Sequence, residues 1–275
     1  MLTQPIKRHG GKHYLADWIL SHRPAEYITY CEPYFGGGSV LLKHDPKDHS
    51  EVVNDLDGDL MNFWATLANP DNFDIFMRLC AMTPFSKHMF DIAQGAEGEE
   101  GSVDARIVRA HKFFVRSRQS RQGLCKDFAT LSKTRTRRGM NEQVAQWLGA
   151  IEGLPEIHER LKRVVILNED ALTVIAKMDS PDTWFYLDPP YRHETRTDIK
   201  SYQYECDDQH HFDLLALLAS DDFEGKFALS GYHSTEYDDV ASACGWNIVE
   251  KVIDNKASSA AVKPTMTECL WMNYE

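Results

Sequence analysis

Apolar positions near the start of the chain switch repeatedly between helical and strand spacing. HYLADWIL (13–20) reads as a short amphipathic helix and YITYCE (27–32) as a strand. SVLLKH (39–44) follows as a helix behind a glycine turn, EVVND (51–55) as a second strand and DLMNFWATL (59–67) as a further helix. From about Pro70 to Pro155 strand signals vanish and helical spacing dominates, broken at Pro84, over Gly95–Gly101 and around Gly123 and Gly139. Strand patterns resume with RVVILN (163–168), helix ALTVIAKM (171–178) follows, and TWFYL (183–187) is the continuous apolar run of a strand buried on both faces. HHFDLLALLA (210–219) predicts a helix, KFALS (226–230) a strand, and WNIVEKVI (246–253) with ECLWMNY (268–274) a closing strand pair. Such alternation predicts an α/β, doubly wound sheet built from residues 1–69 and 156–275, with 70–155 as an inserted helical domain.

Composition agrees with a globular protein. At 275 residues, 43% of them hydrophobic and 26% charged, the chain can fill a sizeable core. No apolar run approaches the roughly 18 residues of a membrane helix, and MLTQPIKRHGGK has no leader-like apolar stretch, so a soluble cytoplasmic protein is expected. The six cysteines are scattered without a CxxC pair, which points to reduced thiols. His210-His211, near Cys206, is the densest histidine cluster, but adjacent helical positions diverge by about 100° and cannot easily share an ion. No metal is expected.

Charge distribution changes the picture. The net charge of -12 argues against a polyanionic partner, yet Asp104–Arg138 holds eleven basic residues against two acids, a local +9 that leaves -21 elsewhere. Arginines there alternate with Gln, Ser, Thr and Gly rather than with Glu, so Arg116, Arg118, Arg121, Lys133, Arg135, Arg137 and Arg138 are candidate nucleic-acid contacts. A solvated helix face is the bland alternative.

Three motifs fall at the carboxyl ends of predicted parallel strands, where open α/β sheets bind ligands. Glu32-Pro-Tyr-Phe-Gly-Gly-Gly-Ser39 is a glycine turn whose spacing departs from GxGxxG, which disfavours a dinucleotide site. Asn54-Asp55 places an acid where ribose hydroxyls could be held, unless it only caps a helix, a role open to Asp57 as well. Asp188-Pro-Pro-Tyr191 is the sharpest. Its prolines end a buried strand without competing N–H groups, leaving Asp188 and the Pro189 carbonyl to accept from an exocyclic amine while Tyr191 stacks on its ring. That arrangement suits direct attack of the amine on an electrophilic methyl.

The sequence resembles the Dam-like DNA adenine-N6 methyltransferases, in particular those of phages and prophages, some of which serve restriction-modification. Pro5–Lys12, Glu32–Ser39, Asn54-Asp55, Asn168–Asp170, Asp188–Tyr191, Ser230–Tyr232 and Thr267–Trp271 occur in the family's order over nearly the whole chain. The resemblance implies a Rossmann-like methyltransferase sheet with a helical target-recognition insertion, S-adenosylmethionine as donor, and a flipped adenine in double-stranded DNA as acceptor. It places Asp188, Pro189, Pro190 and Tyr191 at the base, and Arg8, Gly11, Lys12, Glu32, Phe35, Gly36, Gly38, Asp55, Asp170 and Asp188 at the cofactor; Asp170 reads equally well as a helix cap. The stretch 192–205, with Tyr202 and Tyr204, is long enough to close over a flipped base. A monomer is expected.

This chain has Arg8-His9 where relatives usually have an aromatic and a proline, which adds a charge near a sulfonium. His210 stands where relatives often have Asp. Cytosine-N4 methylation, RNA adenine methylation and a catalytically silent DNA-binding relative are the alternatives, the last opposed by the retention of Lys12, Asp55 and Asp188.

Overall fold

The computed structural model describes residues 2–8, 11–95, 103–191, 208–254 and 265–275. In chain order the elements are α1 (Ala16–Ser21), β1 (Thr29–Glu32), β2 (Ser50–Asn54), α2 (Gly58–Ala68), α3 (Pro70–Met82), α4 (Lys87–Gln94), α5 (Val103–Gln119), β3 (Thr136–Arg137), β4 (Met140–Asn141), α6 (Glu142–Glu152), α7 (Leu154–Leu161), β5 (Val164–Leu167), α8 (Ala171–Met178), β6 (Thr183–Leu187), α9 (Asp208–Leu218), β7 (Lys226–Gly231), α10 (Thr235–Cys244), β8 (Asn247–Asp254) and β9 (Thr265–Met272).

A seven-stranded sheet runs β5-β2-β1-β6-β7-β9-β8. The pairs β1–β2, β1–β6 and β6–β7 are parallel, and β9 enters antiparallel to both β7 and β8. All five residues of β6 are buried, as its unbroken apolar run predicts for a central strand. The α/β expectation holds.

Two compact units divide the chain: Met1–Asp17, Gly36–Asp45 and Asp57–Asn168 in the first, Trp18–Phe35, Pro46–Leu56 and Glu169–Glu275 in the second. Aromatic rings fill the first unit. Phe63 stacks on Phe114 with centroids 5.9 Å apart, Phe114 meets Trp147 at 5.2 Å, and the Trp147 indole N–H donates to the Thr83 carbonyl at 2.9 Å. Its helices begin where the side chains dictate: Asp57 caps α2, and Asn69 caps α3 with Pro70 in the first turn.

The chain departs from its predicted elements at three places. SVLLKH forms turns with single helical bonds, Leu42 N–H to Gly38 O and His44 N–H to Val40 O, rather than a helix. The helical stretch contains a hairpin, β3–β4, whose two central residues Arg138 and Gly139 both have positive φ, 55° and 72°. Helix α10 lacked a clear apolar stripe; its signals are the Ser234 cap and Gly245, left-handed at φ 68°.

In the second unit Asn54 is fully buried at the end of β2. Its amide N–H groups donate to the carbonyls of Pro33 and Glu169, both at 3.1 Å, and its side-chain oxygen accepts from Glu169 N–H at 2.8 Å. Its own carbonyl accepts from Phe35 N–H at 2.8 Å. Asn54→Ala strands several buried groups, each worth about 1–3 kcal/mol, so urea unfolding should register a loss of about 3 kcal/mol. A change below about 1 kcal/mol would show that water replaces the amide.

Candidate active site

Because β1, β2, β6 and β7 run parallel, their carboxyl ends bring Glu32, Asp55, Asp188–Tyr191 and Ser230–Tyr232 to one edge of the second unit. Glu32 is buried and accepts from the Tyr30 hydroxyl at 2.5 Å; burial, then the Glu32 charge, keeps that phenol protonated far above its ordinary range. Asp55 is half-buried just beyond β2. The capping role open to either acid belongs to Asp57, which accepts from the N–H groups of Asp59 and Leu60 at 3.1 Å.

Beyond β6, Pro189 is buried while Asp188, Pro190 and Tyr191 are half-buried. The Tyr191 hydroxyl donates to Glu268 Oε1 on β9 at 2.7 Å, and Ser230 Oγ donates to the same oxygen at 2.7 Å. Burial, then the charges of Glu268 and Asp188, holds the Tyr191 phenol protonated. Its ring lies 4.6 Å from that of Tyr232 at 57°. Pro189, Tyr191, Ser230, Tyr232, His211 and Tyr237 line a small open cleft. His211 Nδ1 and the Tyr237 hydroxyl are 2.8 Å apart, and the Tyr34 hydroxyl meets His210 Nε2 at 2.7 Å. Sequence reading gave no role to Glu268, although an acid inside the apolar run of β9 was a signal. Asp170 caps α8, its carboxylate accepting from Thr173 N–H at 3.0 Å. The stretch 192–205 lies outside the described residues.

In the first unit the turn that follows Phe35 is open on one side. Gly36 and Gly38 have φ of 53° and 71°, and a Cβ on Gly36 would meet nothing within 4 Å. Gln4 braces this turn through the Gly37 carbonyl at 3.1 Å and Ser39 Oγ, and the Trp64 indole N–H donates to Gly36 O. Lys12 is buried, its carbonyl accepting from the N–H groups of Leu15 and Ala16, and Gly11 lies close to the Arg8 carbonyl. Arg8 pairs with Asp57 at 3.1 Å, so its extra charge is compensated within this unit.

The basic segment is divided in its use. Asp59 holds Arg109 and, at 3.2 Å, Arg116, whose guanidinium also reaches the Ala93 carbonyl at 3.0 Å. Arg118 donates to Gln146 O at 2.9 Å, and burial lowers its pKa to about 10. Partner acids therefore exist, but they come from outside the segment. Arg121, Lys133, Arg135, Arg137 and Arg138 are exposed, the last paired with Glu152 at 2.7 Å.

In the second unit, carboxylates and an aromatic gather at the ends of parallel strands, a donor set suited to ribose hydroxyls and a planar amine; the first unit carries the open glycine turn. A sequence model of the D12 class N6 adenine-specific DNA methyltransferases matches residues 9–256. The chain belongs to this family. Members transfer a methyl group from S-adenosylmethionine to the N6 amine of adenine in DNA and flip the base to do so, which sets the adenine reading above cytosine N4 and RNA. The mixed α/β sheet is the family's Rossmann-like methyltransferase fold. Among the described residues no group of three or more metal-binding side chains is present, and no helix is long and apolar enough to cross a membrane.

The double use of Asp57 can be separated. Asp57→Asn keeps a good cap and removes the charge that pairs with Arg8, so it should cost less than about 1 kcal/mol, whereas Asp57→Ala should cost about 2 kcal/mol. Equal losses in denaturant titrations would mean that the pair, not the cap, secures α2.

Proposed function

We propose that the chain is a cytoplasmic, monomeric methyltransferase of double-stranded DNA in which Asp188, Pro189, Pro190 and Tyr191 hold the flipped adenine. The observation that carries this reading is the cleft between Pro189-Tyr191 and Ser230-Tyr232 at the carboxyl edge of the sheet. Asp188 and the Pro189 carbonyl accept the two amine hydrogens, and the two prolines bring no N–H of their own into the loop. Accepting both hydrogens moves the nitrogen toward sp³ and frees its lone pair. Tyr191 stacks on the ring, worth about 1–3 kcal/mol, against a flipping cost of a few kcal/mol.

Asp55 binds the ribose hydroxyls of the cofactor; Lys12, Gly36 and Gly38 belong to the same function in the first unit. When bound, S-adenosylmethionine supplies the electrophilic methyl. The residues orient the amine toward it, and the proton leaves to solvent or through Asp188.

Asp188→Ala should lower methyl transfer from labelled S-adenosylmethionine to unmethylated genomic DNA by at least about a hundredfold with an unchanged circular dichroism spectrum. Retention of more than about a tenth of the rate removes Asp188 from the mechanism.

Residues 70–155 form the DNA-recognition insertion in this reading, with Arg121, Lys133, Arg135, Arg137 and Arg138 as its exposed cations; Arg116 and Arg118 support it from within. Each phosphate contact contributes about -0.9 to the slope of log affinity against log salt. Where all three touch phosphate, replacing Arg135, Arg137 and Arg138 with Gln should flatten that slope by about three units. An unchanged slope and unchanged site preference would make the three arginines a solvated face.

A further inference from the structure

Glu268 is 1% exposed, and Ser230 beside it is equally buried. Burying a carboxylate is unfavourable unless its partners repay it, and replacing such a group with a well-packed apolar side chain is often neutral or stabilising. Stability is thus a poor reason for an acid at this point of β9. Its partners suggest another. One carboxylate oxygen, Oε1, accepts both the Tyr191 and the Ser230 hydroxyl at 2.7 Å, so the strand β7, the loop after β6 and the strand β9 meet on one atom.

A tyrosine hydroxyl lies on the axis about which its ring rotates. Pinning it fixes where that axis points but leaves the tilt of the ring free, and the Tyr232 ring at 4.6 Å and 57° restricts the tilt. Both degrees of freedom of the Tyr191 ring are then constrained from within the second unit before any base arrives. The geometry points to Glu268 as a positioning residue for methyl transfer: its carboxyl oxygen tethers the Tyr191 hydroxyl and holds the ring in the plane and place on which the target adenine stacks. This rests on the assignment of Tyr191 to the base.

Misplacing a reacting group by about 1 Å can cost on the order of a hundredfold. Glu268→Ala should therefore lower kcat by at least about tenfold with the KM for DNA and for S-adenosylmethionine within about threefold. Tyr191→Phe keeps the ring and loses only the tether, so it should match that loss, and the double variant should lose no more than either alone. Glu268→Gln, which still offers Oε1, should recover kcat to within about threefold of the unaltered enzyme. Multiplying losses in the double variant, an equal loss in Glu268→Gln and Glu268→Ala, or full activity in Glu268→Ala each overturns the tether. Where Glu268→Ala does not fold, Tyr191→Phe decides, since undiminished kcat there overturns it too. Asp188→Ala and Tyr191→Ala run alongside as controls. If both are inactive while Glu268→Ala is fully active, the positioning inference alone fails; if both remain active, the base assignment itself fails.

Discussion

The site depends on one side-chain amide. Parallel strands deliver their carboxyl ends to a common edge, but the loops that leave them have no ladder bonds to hold them. Asn54 supplies those bonds: it ties the loop after β1 through Pro33 and Phe35 to the segment before α8 through Glu169. An amide suits this position because it offers donors and an acceptor at once, and a carboxylate would lack the donors. Asn54 is committed inward and Asp57 caps α2, while Asp55 sits half-buried just beyond the strand end.

Much of this was legible in the sequence where a pattern had one physical cause. The run TWFYL could be buried on both faces only in a central strand, and Asp188-Pro-Pro-Tyr191 had no simpler explanation as a turn. Other features failed because the cause lay elsewhere in the chain. Glu268 looked like one letter in a closing strand, since its partner Tyr191 is 77 residues away. The turn at Arg138-Gly139 lacks the Asn-Gly signature, and an arginine at positive φ is not an expected hairpin residue. SVLLKH carries helical residues, yet a chain leaving a braced glycine turn makes only isolated helical bonds there.

Charge illustrates the same limit. The excess of arginine in 104–138 was plain, but its destination was not, because Asp59 and Glu152, which take up Arg109, Arg116 and Arg138, lie outside that stretch. Arg109, Arg116 and Arg118 on α5 are bound by partners of the first unit, and the basic residues of the hairpin are exposed. A count of charges therefore overstates the surface available to a polyanion.

Ser117 has a consequence for where this protein can be cut. Its hydroxyl accepts from Lys7 N–H at 3.0 Å and donates to the Lys7 carbonyl at 2.8 Å, so one side chain binds the leading segment as a neighbouring strand would. Gly123 closes the same contact from the other side: at φ 75° it sits where an added Cβ would fall 2.6 Å from the Lys7 carbonyl oxygen. Residues 2–8 are thus an internal piece of the first unit that happens to come first in the chain. Trimming them as a dispensable tail would leave a buried serine without partners and a glycine guarding an empty groove, so the minimal fragment of this fold begins before the glycine-lysine motif.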